Sequence, residues 1–295
     1  MKHSMIITAL LLLGFVLSQL IGIYVIDSHI ERTPEGFSWT PMQTVLGPVE
    51  QEQMSVSGSI LFISLGLLFG IGLILLLNYF GWRRIWKFWY GFAMFICINI
   101  VFSTFMSNIY SAVLSAILVI VKLVKRNVIV HNITEILSYS GLAALFSPLF
   151  SSISAMLVLL IFSVYDFIAV LKSSFMIKLA NFQASSGAFA GLVLPYKEMH
   201  KTIPHMVHKQ NAKPSEETKV AILGGGDIAF PLLFTGTVVA THTAGQALLI
   251  VPFTTASLLL LFKYGKKGKF YPALPFVTAG CLAGWIVVRL VSGYW

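Results

Sequence analysis

The chain has 295 residues, of which 57% are hydrophobic and 11% charged, with a mean hydropathy of +0.85. That balance excludes a soluble globular domain of ordinary composition and points to an all-α polytopic membrane protein. The formal net charge of +9 would suit a nucleic-acid partner only if the basic side chains shared one folded face; they fall in the gaps between apolar runs, so no nucleic acid is expected.

At about 20 residues per crossing, nine transmembrane helices are expected, at about 5–26, 56–78, 85–105, 108–125, 133–149, 152–172, 219–241, 244–263 and 270–291. The first lacks a small-x-small cleavage site and is too long for a signal-peptide core, so it is expected to stay. An acidic outer loop, 27–55, follows it, with Asp27, Glu31, Glu35, Glu50 and Glu52 against Arg32; a lid is the sharper alternative. The fifth helix, diluted by Glu135 and Ser138 to Ser140 and ended by Pro148, is expected to be short or tilted. The inner loop, 173–218, starts semi-apolar and becomes hydrophilic, which suits an interfacial helix or a cavity lining. Its His200, His205 and His208 lie among lysines without tight ligand spacing, and no metal or other cofactor is expected. Cys97 and Cys281 each sit in an apolar segment, so no disulfide is expected. The pairs Gly66/Gly70, Gly187/Gly191 and Gly280/Gly284 suit close packing of helices or backbone.

Basic residues set the orientation, because short cytoplasmic loops collect them. With the N-terminus cytoplasmic and the C-terminus extracytoplasmic, all of the 20 Lys and Arg residues except Arg32 and Arg289 fall on the inner side.

Nine of the 11 acidic residues are read as lying in loops or near helix ends, Glu135 among them. Asp166, in LIFSVYDFIAVLK, and Asp227, in LGGGDIAFPLLF, remain deep in apolar helices. An unpaired charge at such depth is costly and marks a function or a polar cavity. Counting from Lys172 and Lys219 at 1.5 Å per residue, they lie ~9 and ~12 Å from the same boundary. Helices six and seven run in opposite directions, so the two carboxylates can meet. Such a pair cannot ionise both members cheaply and shares a proton; one member can then take a proton from water while the other protonates a scissile carbonyl. Gly224, Gly225 and Gly226 remove side chains before Asp227 and allow close approach of a helix or substrate. Pro272 and Pro275 bracket Ala273 and Leu274 at the inner start of helix nine, where broken helix leaves backbone groups for an extended substrate.

Together, Tyr165–Asp166, the GGGD of Gly224 to Asp227, which fits GxGD, and the PAL of Pro272 to Leu274 resemble the presenilin and signal peptide peptidase family of intramembrane aspartyl proteases. The resemblance implies that Asp166 and Asp227 are catalytic, and that Tyr165, Gly224, Gly225, Gly226, Pro272, Ala273 and Leu274 shape the site or dock substrate. It implies a scaffold segment, 1–151, and a catalytic segment, 152–295. The orientation is similar to that of presenilin. The short chain resembles archaeal members, which implies a multi-pass protein of a prokaryotic plasma membrane. The expected partners are transmembrane helices of substrate proteins and the lipid bilayer, with no accessory subunits required and self-association left open. Two other classes explain paired intramembrane carboxylates: a cation channel or proton-coupled carrier, and a non-enzymatic scaffold that binds single helices.

Overall fold

The computed structural model describes residues 4–34, 36–125, 127–171, 189–195, 220–265 and 271–293. In chain order these form α1 (Met5–Asp27), β1 (Ile30–Thr33), β2 (Gly36–Trp39), β3 (Met42–Thr44), β4 (Gly47–Val49), α2 (Val56–Tyr79), α3 (Arg83–Ser103), α4 (Asn108–Val124), α5 (Val128–Phe146) and α6 (Ser152–Leu171). Then come β5 (Gly191–Pro195), β6 (Val220–Gly224), α7 (Gly226–Thr241), α8 (Ala244–Ala247), α9 (Ile250–Tyr264) and α10 (Leu274–Ser292). Seven described helices are long and apolar enough to cross a bilayer, the one-turn α8 joining α9 in a single span, and α4 and α7 are shorter apolar helices. The His200, His205 and His208 expectation lies outside the described residues.

The acidic connection after α1 is not irregular: β1 pairs with β2 and β3 with β4, both antiparallel. The glycines Gly36 and Gly47 supply the positive φ of 147° and 113° at these turns. Both basic residues that broke the charge pattern have local roles at this end of the bundle. Arg32 donates to the carbonyls of Val239 (3.1 Å) and His242 (3.4 Å), closing the C-terminal end of α7, and pairs with Asp27 at 2.7 Å. The Arg289 guanidinium lies 4.6 Å from the centre of the Trp285 ring.

Three differences from the sequence expectations have physical causes. Helix α5 starts at Val128 instead of near 133, because the Asn127 side chain accepts the N–H groups of Ile129 and Val130. Residues 220–224, expected as the start of a helix, form strand β6: β-branched Val220 and Ile222 alternate with buried Ala221 and Leu223, and the glycines that follow resist helix. Glu135 is not near a helix end. It is 1% exposed inside α5 and ion-paired with Lys122, which is itself buried inside α4 and not in an inner loop.

The core runs through α1, α5, α6, α7, α9 and α10, with Phe15, Phe150 and Phe234 fully buried. Glycine sets several of these contacts. A Cβ on Gly141 of α5 would collide with the backbone of Cys97 on α3, and one on Gly284 of α10 would lie 2.7 Å from the Ile250 Cα of α9. Gly280 is likewise against Phe253 and Thr254, so the Gly280/Gly284 pair packs helices as expected. Gly66 and Gly70 on α2 face open space, so that pair packs nothing within the described chain. Gly141→Ala should therefore cost at least about 2 kcal/mol, since a backbone neighbour cannot swing aside. Gly66→Ala should be neutral or stabilising by up to ~1 kcal/mol through helix propensity. Thermal unfolding in one detergent separates the two.

Candidate active site

Helices α6, α7 and α10 pack against one another, and each brings one motif to their junction. α6 and α7 run antiparallel: Ser152, at the start of α6, donates to the Thr237 carbonyl late in α7 at 3.2 Å, and further along the Phe162 and Phe230 rings stack with centroids 4.5 Å apart. Asp166 lies four residues beyond Phe162, or ~6 Å of rise, and Asp227 lies three residues before Phe230, or ~4.5 Å. In antiparallel helices these displacements point the same way. The stacked rings are worth about 0.5–1.5 kcal/mol beyond their burial, and both aspartates lie on the same side of them along the helix axes.

The register of α6 against α10 is fixed as firmly. Ser163 and Thr278 share a hydroxyl hydrogen bond of 2.7 Å, and one turn away the Leu274 N–H donates to Asp166 Oδ2 at 3.3 Å. The Ala273 N–H also faces this carboxylate. Ala273 and Leu274 stand at the N-terminus of α10, whose first N–H groups have no intrahelical acceptor. Sequence reasoning offered these backbone groups to a substrate; at least one serves Asp166. Pro272, just before them, is half-buried, and Tyr165 is exposed on α6.

Asp227 is the second residue of α7, directly after the strand β6, and is half-buried. The positive end of the helix dipole favours a carboxylate there. The preceding glycines have different jobs. A Cβ on Gly224 would stand 3.1 Å from Asp227 Oδ2, so the carboxylate lies over the space that glycine leaves. A Cβ on Gly225 would collide with the Tyr139 phenol of α5, and one on Gly226 would make only ordinary contact with the Phe230 ring. What approaches the GGGD turn most closely is thus the chain's own Tyr139.

Strand β6 is held by β5 in antiparallel register, Gly191 opposite Gly224 and Val193 opposite Ile222. The far edge of β5 is occupied by side chains of α5. Asn132 accepts the Val193 N–H and donates to the Val193 carbonyl, both at 2.9 Å; Glu135 accepts the Gly191 N–H at 3.0 Å; and His131 Nε2 lies 2.8 Å from the Gly191 carbonyl. Because Gly191 and Val193 point their backbone groups at α5, Leu192 and Leu194 must point theirs at Leu223 and Ala221. The groups of Val220, Ile222 and Gly224 then face the opposite side, the outer edge of β6, where no other described strand pairs with them. Tyr90, Lys122, His131, Asn132, Glu135 and Tyr139 were not singled out from sequence. The available signal was a Lys and a Glu within consecutive apolar stretches.

Among the described residues no cluster of His, Cys, Asp and Glu could hold a metal ion. A cavity of about 500 Å³ lined by Trp39, Glu50, Glu52 and Pro148 lies near the start of α6. Asp166 is 14 residues further along, or ~21 Å, so this cavity does not belong to the junction.

Two comparisons with known proteins find matches. A family model described as signal-peptide peptidase, presenilin aspartyl protease matches residues 39–294. Two crystal forms of a presenilin family intramembrane aspartate protease, in C222 and P2 space groups, are similar in fold. The first has a TM-score of 0.61 and 16% identity, covering 94% of each chain; the second has 0.61 and 18%, covering 95% of this chain and 96% of that one. No curated protein matches. With the family model spanning most of its length, the chain belongs to the signal-peptide peptidase and presenilin family of aspartyl proteases.

Proposed function

We propose that the protein is an endopeptidase that hydrolyses a peptide bond within a transmembrane segment of another protein, with Asp166 and Asp227 as a water-activating pair. The observation that supports this reading is the Phe162–Phe230 stack between the two helices that carry the aspartates, with the Leu274 N–H of α10 bonded to Asp166. With one proton shared between them, the ionised member takes a proton from water as the oxygen attacks the carbonyl carbon, and the protonated member gives its proton to the carbonyl oxygen. Transfer of a proton to the amide nitrogen then lets the C–N bond break, leaving a carboxylate and an amine. Water must reach the pair, and the peptide must be extended there, because a helix shields its own carbonyls.

The outer edge of β6 suits such an extended segment. It offers the N–H and C=O groups of Ile222 next to Gly224 and Asp227, with the half-exposed Ile222 side chain alongside. The same reading takes the seven long spans with α4 and α7 as nine crossings, the N-terminus in the cytoplasm and the C-terminus outside, in a prokaryotic plasma membrane. It assigns residues 152–295 to catalysis and 1–151 to the scaffold, and requires no accessory subunit. An ion path through the same carboxylates has no observation of its own.

The test is to incubate the purified protein with a labelled single-helix membrane substrate and map the products by mass spectrometry. A cut inside the substrate's apolar segment is expected. Intact substrate across several sequences, together with ion flux in proteoliposomes, would replace the protease with a channel.

A further inference from the structure

We infer that Glu135 is a positioning residue for Asp227, acting through the two glycines that precede its helix; this rests on the protease reading above. The Glu135 carboxylate is buried and saturated. Oε1 accepts from Lys122 Nζ and the Tyr90 hydroxyl, and Oε2 accepts from the Tyr139 hydroxyl and the Gly191 N–H. A carboxylate has about four acceptor sites, and all four donors come from different places: α4, α3, α5 and β5.

Two of those bonds lead to the catalytic turn by separate routes. Gly191 lies directly opposite Gly224 in the β5–β6 register, and the Asp227 carboxylate lies over Gly224. The Tyr139 ring lies against Gly225. One buried group therefore holds both sides of the turn, Gly224 through the strand and Gly225 through the phenol. The Tyr90 oxygen also lies 2.9 Å from the Phe189 carbonyl, just before β5, so its single proton is shared between that carbonyl and Glu135.

Stability alone is a poor reason for this cluster. A buried ion pair is often no more stabilising than a well-packed apolar pair of the same volume, whereas its hydrogen bonds fix directions that apolar packing does not. Glycine-rich turns have no side chains with which to fix themselves, so the direction has to come from outside. Glu135 supplies it.

Two double variants isolate the role, because both remove the ion pair without leaving a buried charge. Glu135→Gln with Lys122→Met keeps an oxygen for the Gly191 N–H or the Tyr139 hydroxyl; Glu135→Leu with Lys122→Met removes it. With substrate cleavage as the readout, the Gln/Met pair should keep kcat within about threefold of the parent. The Leu/Met pair should lose kcat at least about tenfold with KM changed less than about twofold, the signature of a displaced reacting group with intact binding. Hydrogen exchange at the amides of Leu192, Leu194, Ala221 and Leu223 should be faster in the Leu/Met protein than in the Gln/Met protein. Equal kcat and equal exchange in two folded doubles would overturn the inference. Should the parent cleave nothing, the protease reading fails by itself, and the exchange comparison still decides whether Glu135 orders the turn.

Discussion

Asp166→Asn and Asp227→Asn should each lower kcat by about 10³-fold or more, and the double variant should be no worse than either single one. The expectation follows from shared duty: the proton that leaves water and the proton that reaches the carbonyl pass through one pair, so losing either member stops both transfers. Non-additivity separates this from two carboxylates that contribute independently, whose losses would multiply. Asparagine suits the purpose because its side-chain oxygen can still accept the Leu274 N–H, which bonds Asp166 at 3.3 Å. Thermal unfolding of the variants should accordingly match the parent. Initial rates on a labelled helix give the kinetic comparison.

The second large effect is on stability. Glu135→Ala should destabilise the protein by about 3–5 kcal/mol, because it leaves Lys122 buried without its counter-charge. It also removes the acceptor of Tyr90, Tyr139 and the Gly191 N–H. Lys122→Met should cost less, since the Glu135 carboxylate keeps three of its donors and the methionine replaces much of the lost volume. Thermal unfolding in detergent measures the asymmetry. Equal losses would show that the pair matters only as a pair, with no separate part for the hydrogen bonds.

These two effects also mark how far the sequence could be read. Asp166 and Asp227 were legible because each stands alone in an apolar helix, and a count of 1.5 Å per residue puts both at a similar depth. Most spans were legible from the length of their apolar runs, for the same reason: lipid demands internally bonded backbone. The β6 strand was not legible, since five residues of alternating burial cannot be told from a helix start by periodicity. Only its pairing with β5 distinguishes it, and that partner lies 25 or more residues away, as the Pro195–Val220 pair illustrates.

Glu135 was missed for a different reason. Lys122 is two residues from the end of α4, while Glu135 is seven from the start of α5, a difference of ~7.5 Å in backbone depth. Depth counting therefore gave no hint of a pair. The four-carbon lysine stem spans the gap, carrying its ammonium inward to the carboxylate with the stem lying along apolar surface. Of the three glycines, Gly225 is the one closely approached by another element, and that neighbour was not foreseeable: it is the Tyr139 phenol, supplied by a helix more than 80 residues earlier in the chain.

The claim on which the account turns is that Asp166 and Asp227 face each other, and proximity can be measured directly. In a background with Cys97→Ala and Cys281→Ala, the pair Asp166→Cys with Asp227→Cys is treated with a short bis-maleimide, which adds to both thiols, and the linked peptides are sought by mass spectrometry. Phe162→Cys with Phe230→Cys is the control, because those rings are in contact. The account predicts a cross-link in both proteins. A link at the phenylalanine pair with none at the aspartate pair would mean that the helices pack as described while the carboxylates point apart, and the two-aspartate site would have to be abandoned.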